Sequence, residues 1–401
     1  MDVTLINPDS PFLLDPKVMP NLGLLYISSY LKSRGVKVNF VDLAGEDKEI
    51  PVTGHYGITA TTPQFPEAVK ILKRIKSSNP DSKVLIGGPH ATLMPEECVD
   101  AGFDWTIQGE GEWAIHDILK SPTSYEGYPV LATSLPDING LPFPDRSLVK
   151  DYTYTIDGKK ATTMVTSRGN CPFNCAFCSK TWKTKMRFRS VENVVEEAKE
   201  LKKFNYSGIQ FYDDELFINR ERDFEICSRL KDLELVWRCF TRSNLVDEEM
   251  AAIASESGCK EMLIGIESGS DDILKNIDKG VTVEQDVEAV KILHRHNIRV
   301  KAAMIIGLPG ESDETLKETW KFCESMKPYI ADFDFTILIP YPGSPIFEHP
   351  EKYDIKFKVK DVTAPYKGGS WRSIVSTSRL SEEQITKWRE KFHLKFKGEI
   401  L

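Results

Sequence analysis

Short apolar runs alternate with stretches of helical periodicity through the first 120 residues. Residues 3–6 are apolar and stop at Asn7-Pro8, and residues 22–33 repeat apolar positions at helical spacing. Four further strands are predicted at 36–41, 56–60, 83–86 and 103–107, with an amphipathic segment at 67–77. Glycine-rich turns follow the last two strands, Gly87-Gly88-Pro89 and Gly109-Glu110-Gly111-Glu112. Strands separated by helices predict a parallel, doubly wound sheet, whose ligands sit beyond the carboxyl ends of its strands. Pro122, Gly127, Pro129, Pro136, Gly140, Pro142 and Pro144 interrupt the pattern, as a connector does. Alternation resumes with strands at 162–167, 208–212, 235–241, 261–266, 299–306 and 333–339, helices lying between them. That makes about six β/α units, fewer than the eight of a closed barrel. The expected fold is therefore α/β: a Rossmann-like domain at 1–120, a linker at 121–161, a partial (β/α)6 barrel at 162–345, and a short α/β tail at 346–401 that caps the barrel. Ser381-Glu382-Glu383-Gln384 marks a helix start in that tail.

The net charge of −8 opposes broad attraction to nucleic acid or an anionic membrane. No apolar run is long enough to span a bilayer, and residues 1–8 lack a basic stretch followed by an apolar one. A cytoplasmic protein is expected. In that reducing setting eight cysteines are not a disulfide framework, and close spacing points to metal or catalysis. Only Cys171, Cys175 and Cys178 are close together. Cys98, Cys227, Cys239, Cys259 and Cys323 are scattered, as buried free thiols are.

Three thiolates at spacings of four and three can wrap one face of a cubic 4Fe–4S cluster. They leave one iron without a protein ligand, open to an exogenous amine and carboxylate. Phe173 and Phe177 would shield such a cluster from water. A structural zinc site would want a fourth Cys or His, and the loop contains none.

The run Cys171-Pro172-Phe173-Asn174-Cys175-Ala176-Phe177-Cys178, placed after the first barrel strand, resembles the cluster loop of the radical S-adenosylmethionine (SAM) superfamily. Further matches follow in the order that family implies. Tyr212, Asp213, Asp214 and Glu215 end the second strand, where the amino group of SAM is held. Arg242, past the third, is placed for the SAM carboxylate. Glu267 and Ser268 end the fourth strand, near the ribose, and Gly307, Leu308 and Pro309 end the fifth, near the adenine. Phe177 joins these residues around SAM. The resemblance implies that one electron, from a flavodoxin- or ferredoxin-type donor, cleaves SAM to a 5′-deoxyadenosyl radical that abstracts a substrate hydrogen. No acid–base pair is needed for that step, and no catalytic side chain is assigned.

The domain ahead of the barrel resembles that of the cobalamin-binding subclass. The resemblance rests on Asn7, on Thr59, Thr61 and Thr62, on Gly87, Gly88, Pro89 and His90, and on Gly109, Glu110, Gly111 and Glu112, which it places around cobalamin. The Asp-x-His-x-x-Gly pattern of histidine-ligated cobalamin is missing; Asn7-Pro8-Asp9-Ser10-Pro11-Phe12 stands in its place, implying cobalt without a histidine beneath it. The implied activity is methylation of an unactivated carbon in a small-molecule, lipid-precursor or peptide substrate. The alternative is cyclisation, ring contraction, dehydration or decarboxylation on the same architecture. Tyr366, Trp371, Arg372 and Trp388 of the tail are candidates for shaping the pocket.

Overall fold

The computed structural model describes residues 2–11, 13, 15–121, 129–132, 137–182, 184–359, 361–362 and 372–397. Tyr366 and Trp371 lie outside the described residues. The chain forms two compact units, one of Met1–Tyr154 with Thr181–Arg187 and one of Thr155–Lys180 with Phe188–Leu401. The stretch expected as a linker is thus shared between them, and a short later segment belongs to the first.

In the first unit, β1 (Asp2–Asn7), β2 (Lys37–Asp42), β3 (His55–Thr59), β4 (Lys83–Gly87), β5 (Trp105–Gln108) and β6 (Pro129–Leu131) form one sheet in the order β2-β1-β3-β4-β5-β6. Every pairing is parallel. Ile6, Ile58, Val84 and Ile86 pack with Ile71, Leu72 and Ile75 of the helix Phe65–Ser78. Val3, Leu5, Leu85, Trp105 and Ile107 pack with the helices Leu22–Ser33 and Gly111–Lys120. Each buried Leu, Ile or Phe contributes about 1.5–3 kcal/mol, so both faces need their helices. Strand order reverses beside β1, which puts the ligand crevice at the carboxyl ends of β1 and β3. β6 lies in the proline-rich stretch, where apolar alternation gave no sign of it.

The second unit is a single run of neighbours. β7 (Thr155–Ile156) and β8 (Lys159–Met164) form a hairpin through Asp157 and Gly158, whose φ values of 50° and 73° match the tight turn such hairpins use. β9 (Gly208–Phe211), β10 (Val236–Thr241), β11 (Cys259–Glu267), β12 (Arg299–Ile306) and β13 (Asp332–Ile337) follow in sequence order, all parallel from β8 onward. Met262, Ile264 and Ile266 of β11 share one core with Val300, Ala302 and Met304 of β12 and Phe333 and Phe335 of β13. The alternate residues are partly exposed and pair across strands, Arg238 with Glu261 at 3.0 Å and Lys301 with Asp334 at 3.6 Å. This is the half-barrel the sequence predicts. The tail helix Glu382–Phe396 lies against its last strand, with the Phe392 ring 5.1 Å from that of Phe335.

Candidate functional site

The cysteine loop leaves β8 and is anchored before its first cysteine. Asp213 accepts from Thr166 N at 2.9 Å, Thr166 Oγ1 at 3.1 Å and Ser167 Oγ at 2.6 Å. Arg222 donates to the Thr166 carbonyl at 2.8 Å, and Arg189 to that of Val165 at 2.7 Å. Arg189 is itself paired with the fully buried Glu197. Asp213, expected at SAM, is therefore buried and engaged in holding the root of the loop. Backbone bonds tie the rest of the loop down: Ala176 N to Ile277 O at 2.8 Å, Cys178 N to Cys175 O at 3.1 Å, and Lys180 N to Gly343 O at 3.1 Å.

Cys175 is buried, Cys171 half-buried and Cys178 exposed. Burial raises the Cys171 thiol despite a hydrogen bond from the Phe173 backbone. Such a thiol ionises when a bound metal takes the proton's place. Among the described residues no three His, Cys, Asp or Glu side chains converge as one metal ion would require. A cubic cluster makes no such demand, because each thiolate binds a different iron.

Around this loop, the ends of β9, β10 and β11 bring buried charges. Tyr212 is exposed, edge-on to Phe240 at 5.7 Å, and Asp214 is exposed and accepts a hydrogen bond from the Cys171 backbone. Glu215 is buried, and its Oε1 has no hydrogen-bond partner among the described residues. Burial pushes its carboxyl up to about 8, against the pull of Arg242 and Lys279. Arg242 is buried, with its guanidinium 3.9 Å from the centre of the Phe173 ring. Its Nη1 donates to Cys175 Sγ at 3.2 Å, and its Nη2 donates to the Lys279 carbonyl.

Glu267 closes β11 with φ +68°, where the register against β12 shifts. Its Oε1 accepts from Lys279 Nζ at 2.9 Å, and both residues are buried. Burial works against the Lys279 ammonium, but Glu267 keeps it above its ordinary range. The pair passes over Gly265, where a Cβ would come within 2.3 Å of Glu267 Oε1 and 2.8 Å of Lys279 Nζ. Lys279 also lies 5.8 Å from the centre of the Phe177 ring. Ser268 is fully buried and bonded to Thr319 Oγ1 at 3.1 Å, so it supports the helix Asp313–Met326 instead of lining the mouth. Gly307 and Leu308 donate their backbone N–H groups to Glu311 Oε2 at 2.6 and 3.2 Å, with Pro309 next in the same turn. Glu311 Oε1 has no hydrogen-bond partner among the described residues, and burial pushes the carboxyl up to about 8.

Lys279 and Glu311 were not singled out in the sequence. Lys279 lies 12 positions beyond its partner and has no motif of its own, whereas Glu311 directly follows Gly310 and was legible as part of that turn.

At the switch point of the first unit, Asn7 is buried and donates to Asp42 at 2.9 Å, while Tyr152 donates to the other Asp42 oxygen at 2.8 Å. Thr61 Oγ1 donates to Gln64 Oε1 at 2.9 Å, and Gln64 Nε2 donates to the Pro8 carbonyl at 3.2 Å, joining the loops after β1 and β3. Gly88 has φ +91°, and a Cβ there would meet Thr59 Oγ1 at 2.7 Å. Pro89 opens the helix Pro89–Leu93.

His90 does not stand in a ligand loop. It is buried against Phe65 with ring centres 3.9 Å apart, 3.4 Å from Thr62 Oγ1, and burial pushes it down to about 4. Gly109, at φ +100°, donates to Thr92 Oγ1 at 3.1 Å, and Gly111 admits Ile27, which a Cβ would meet at 3.0 Å. Glu112 is buried, and Glu110 is buried and pairs with Arg187. In the loop after β1, Ser10 Oγ is buried without a hydrogen-bond partner among the described residues, a polar position that no motif in the sequence marks.

The Radical SAM superfamily profile matches residues 165–323, and the B12 binding domain profile matches residues 16–119. An uncharacterised methyltransferase of Pyrococcus horikoshii is 30% identical over 419 residues, covering 94% of this chain and 87% of that one. The chain belongs to the radical SAM superfamily. It is a radical SAM enzyme with a B12-binding domain, and a 4Fe–4S cluster, SAM and cobalamin are its cofactors. An anaerobic magnesium-protoporphyrin IX monomethyl ester cyclase of Rubrivivax gelatinosus is 29% identical, covering 82% of this chain and 66% of its own. The fold is shared with the radical SAM methyltransferase TsrM of Kitasatospora setae, solved with cobalamin and a [4Fe-4S] cluster. Its TM-score is 0.74 at 16% identity, covering 98% of this chain and 87% of that one.

The residues present fit a radical SAM site. The Glu215 oxygen that has no partner among the described residues is an acceptor for an amino N–H, and the cations of Arg242 and Lys279 suit a thiolate-held cluster and a carboxylate. Ser10 Oγ gives the B12-binding domain a buried polar position in the loop after β1, at its switch point. No helix is long and apolar enough to cross a membrane among the described residues.

Proposed function

We propose that this protein is a cobalamin-dependent radical SAM methyltransferase acting on an unactivated carbon of a small-molecule, lipid-precursor or peptide substrate. The observation that carries this reading is the three-cysteine loop, stitched down at one rim with Glu215, Arg242, Glu267 and Lys279 behind it, in a chain that also has a B12-binding domain. When bound, the cluster supplies the electron for cleavage of SAM and cobalamin carries the methyl group. In this reading Cys171, Cys175 and Cys178 hold the cluster, and Phe177 shields it from water. Glu215 accepts from the N–H of the SAM amino group, with Asp214 and Tyr212 at the same strand end. Glu267, aimed by Lys279, accepts from a ribose hydroxyl, and the Gly307–Pro309 turn, shaped by Glu311, offers backbone groups to the adenine. Thr59, Ser10 and the glycine turns at 87–88 and 109–111 receive cobalamin.

The deciding experiment is anaerobic reconstitution of the full chain with iron, sulfide and hydroxocobalamin, followed by product analysis with a low-potential reductant and SAM. Methylated product with S-adenosylhomocysteine is expected. Methionine and 5′-deoxyadenosine without methylated product would favour the second reading, a non-methylating rearrangement, which the identity to a cyclase supports. Changing any one of Cys171, Cys175 or Cys178 to Ala is expected to abolish SAM cleavage and remove most bound iron by colorimetric assay. Retention of iron by all three variants would remove the basis of the proposal.

A further inference from the structure

We propose that Arg242 is a positioning residue for the iron–sulfur cluster, donating a hydrogen bond to the Cys175 sulfur and thereby holding the reduction potential of the cluster up. The inference rests on the assignment of the three cysteines to the cluster. Its basis is the way one guanidinium is fixed from three sides. Nη1 stands 3.2 Å from Cys175 Sγ, within hydrogen-bond reach of sulfur. Nε donates to Asn244 Oδ1 at 3.2 Å, and Nη2 to the Lys279 carbonyl. The face of the guanidinium lies 3.9 Å from the Phe173 ring centre, two residues before the cysteine it bonds. The next residue, Ser243, is buried and bonded to Asp286, which anchors the backbone that carries Arg242. Arg242 is only 5% exposed. Its charge therefore stays at the sulfur.

A cluster gains negative charge when it takes up an electron, and part of that charge appears on its thiolate ligands. Hydrogen bonds and cations at those sulfurs stabilise the reduced form and raise the potential. Low dielectric strengthens the effect, because little water competes at a buried guanidinium. The step itself is balanced: one electron passes from an external flavodoxin- or ferredoxin-type donor to the cluster, with no bond made or broken at Arg242. The forked donors expected to hold the SAM carboxylate are instead taken by Cys175 Sγ and the Lys279 carbonyl, which assigns Arg242 an electronic role before SAM arrives.

The test compares wild type, Arg242→Gln and Arg242→Lys as full-length chains reconstituted without oxygen. Iron content is measured first, then the midpoint potential by redox titration followed by electron paramagnetic resonance in the absence of SAM, then SAM affinity by equilibrium dialysis. Arg242→Gln is expected to keep its iron and lose about tenfold in the equilibrium constant for reduction, a shift of about 59 mV to more negative potential. Arg242→Lys, which keeps a cation and loses the fork, falls between. An unchanged midpoint in cluster-loaded Arg242→Gln overturns the proposal, and a drop in SAM affinity alone would return Arg242 to the carboxylate. Should Arg242→Gln fail to hold iron, Arg242→Lys and Phe173→Leu decide: a negative shift in both supports the role, and wild-type midpoints in both refute it. A fully iron-loaded Cys175→Ala chain would instead strike at the cysteine assignment, a result read from iron content and independent of any midpoint.

Discussion

Gly265 and Glu267 illustrate how a residue is dictated by its neighbours. The Glu267–Lys279 pair runs through the space a Cβ at position 265 would fill, and Glu267 takes a left-handed φ of 68° to make it. Non-glycine residues in that conformation store about 1–3 kcal/mol, which the surrounding structure must impose. Gly265→Ala is expected to displace the pair and weaken SAM binding at least tenfold in equilibrium dialysis while iron content is unchanged. At the other end of the chain, Gly88→Ala combines a φ of 91° with a 2.7 Å approach to Thr59 and is expected to destabilise by about 1–3 kcal/mol in urea unfolding.

At this scale the sequence was most legible where residues are grouped by spacing, as at Cys171, Cys175 and Cys178, which share one anchored loop. It was least legible where a residue type serves either a ligand or the fold. Asp213, Ser268 and His90 sit in motif positions, yet the oxygens of the first two are engaged by Thr166 and Thr319, and the His90 ring is stacked on Phe65. Only the distances separate the two uses.

Elements determine how the protein responds to pH. Glu311 closes the turn after β12, and burial lifts its carboxyl from 4.5 to about 8. A raised carboxyl means the folded chain binds more protons than the unfolded one between those values. Its contribution is therefore present in acid and lost as pH rises through about 8, at up to about 1.4 kcal/mol per pH unit. Glu311→Gln is expected to flatten that slope in urea titrations between pH 5 and 8. His90, in the helix after β4, works the opposite way, because burial lowers it from 6.5 to about 4. The unfolded chain binds the extra proton there, so stability falls as pH drops from about 6.5 towards 4, and His90→Leu is expected to remove that loss.

The strands that carry these residues were readable because β/α alternation is a strong period. β6 and β7 were not, since Pro129 and the short, polar Thr155–Ile156 offer no apolar alternation. Strand ends moved for the same reason: β11 begins at Cys259, where pairing continues past the apolar run that starts it on sequence grounds.

Across the molecule, each unit has its own apolar core: Ile6, Ile58 and Ile86 belong to one, and Ile264, Met304 and Phe335 to another. Calorimetry is expected to resolve two transitions. His90→Leu would move the first unit's transition. Glu197→Gln, which leaves the buried Arg189 without its anion, would lower the second unit's by about 3–5 kcal/mol of stability. One merged transition unaffected in shape by either change would contradict this division. The two-part order of the chain was visible in the break at residues 121–161, but the return of Thr181–Arg187 to the first unit was not, because nothing local marks a segment that packs against residues far upstream. That return bears on how the chain is made. Arg187 meets the buried Glu110, so a ribosome must have passed the cysteine loop before this part of the first unit can be finished. A nascent chain halted at residue 154 would carry Glu110 without the guanidinium of Arg187, so this ion pair can form only after the cysteine loop has been made.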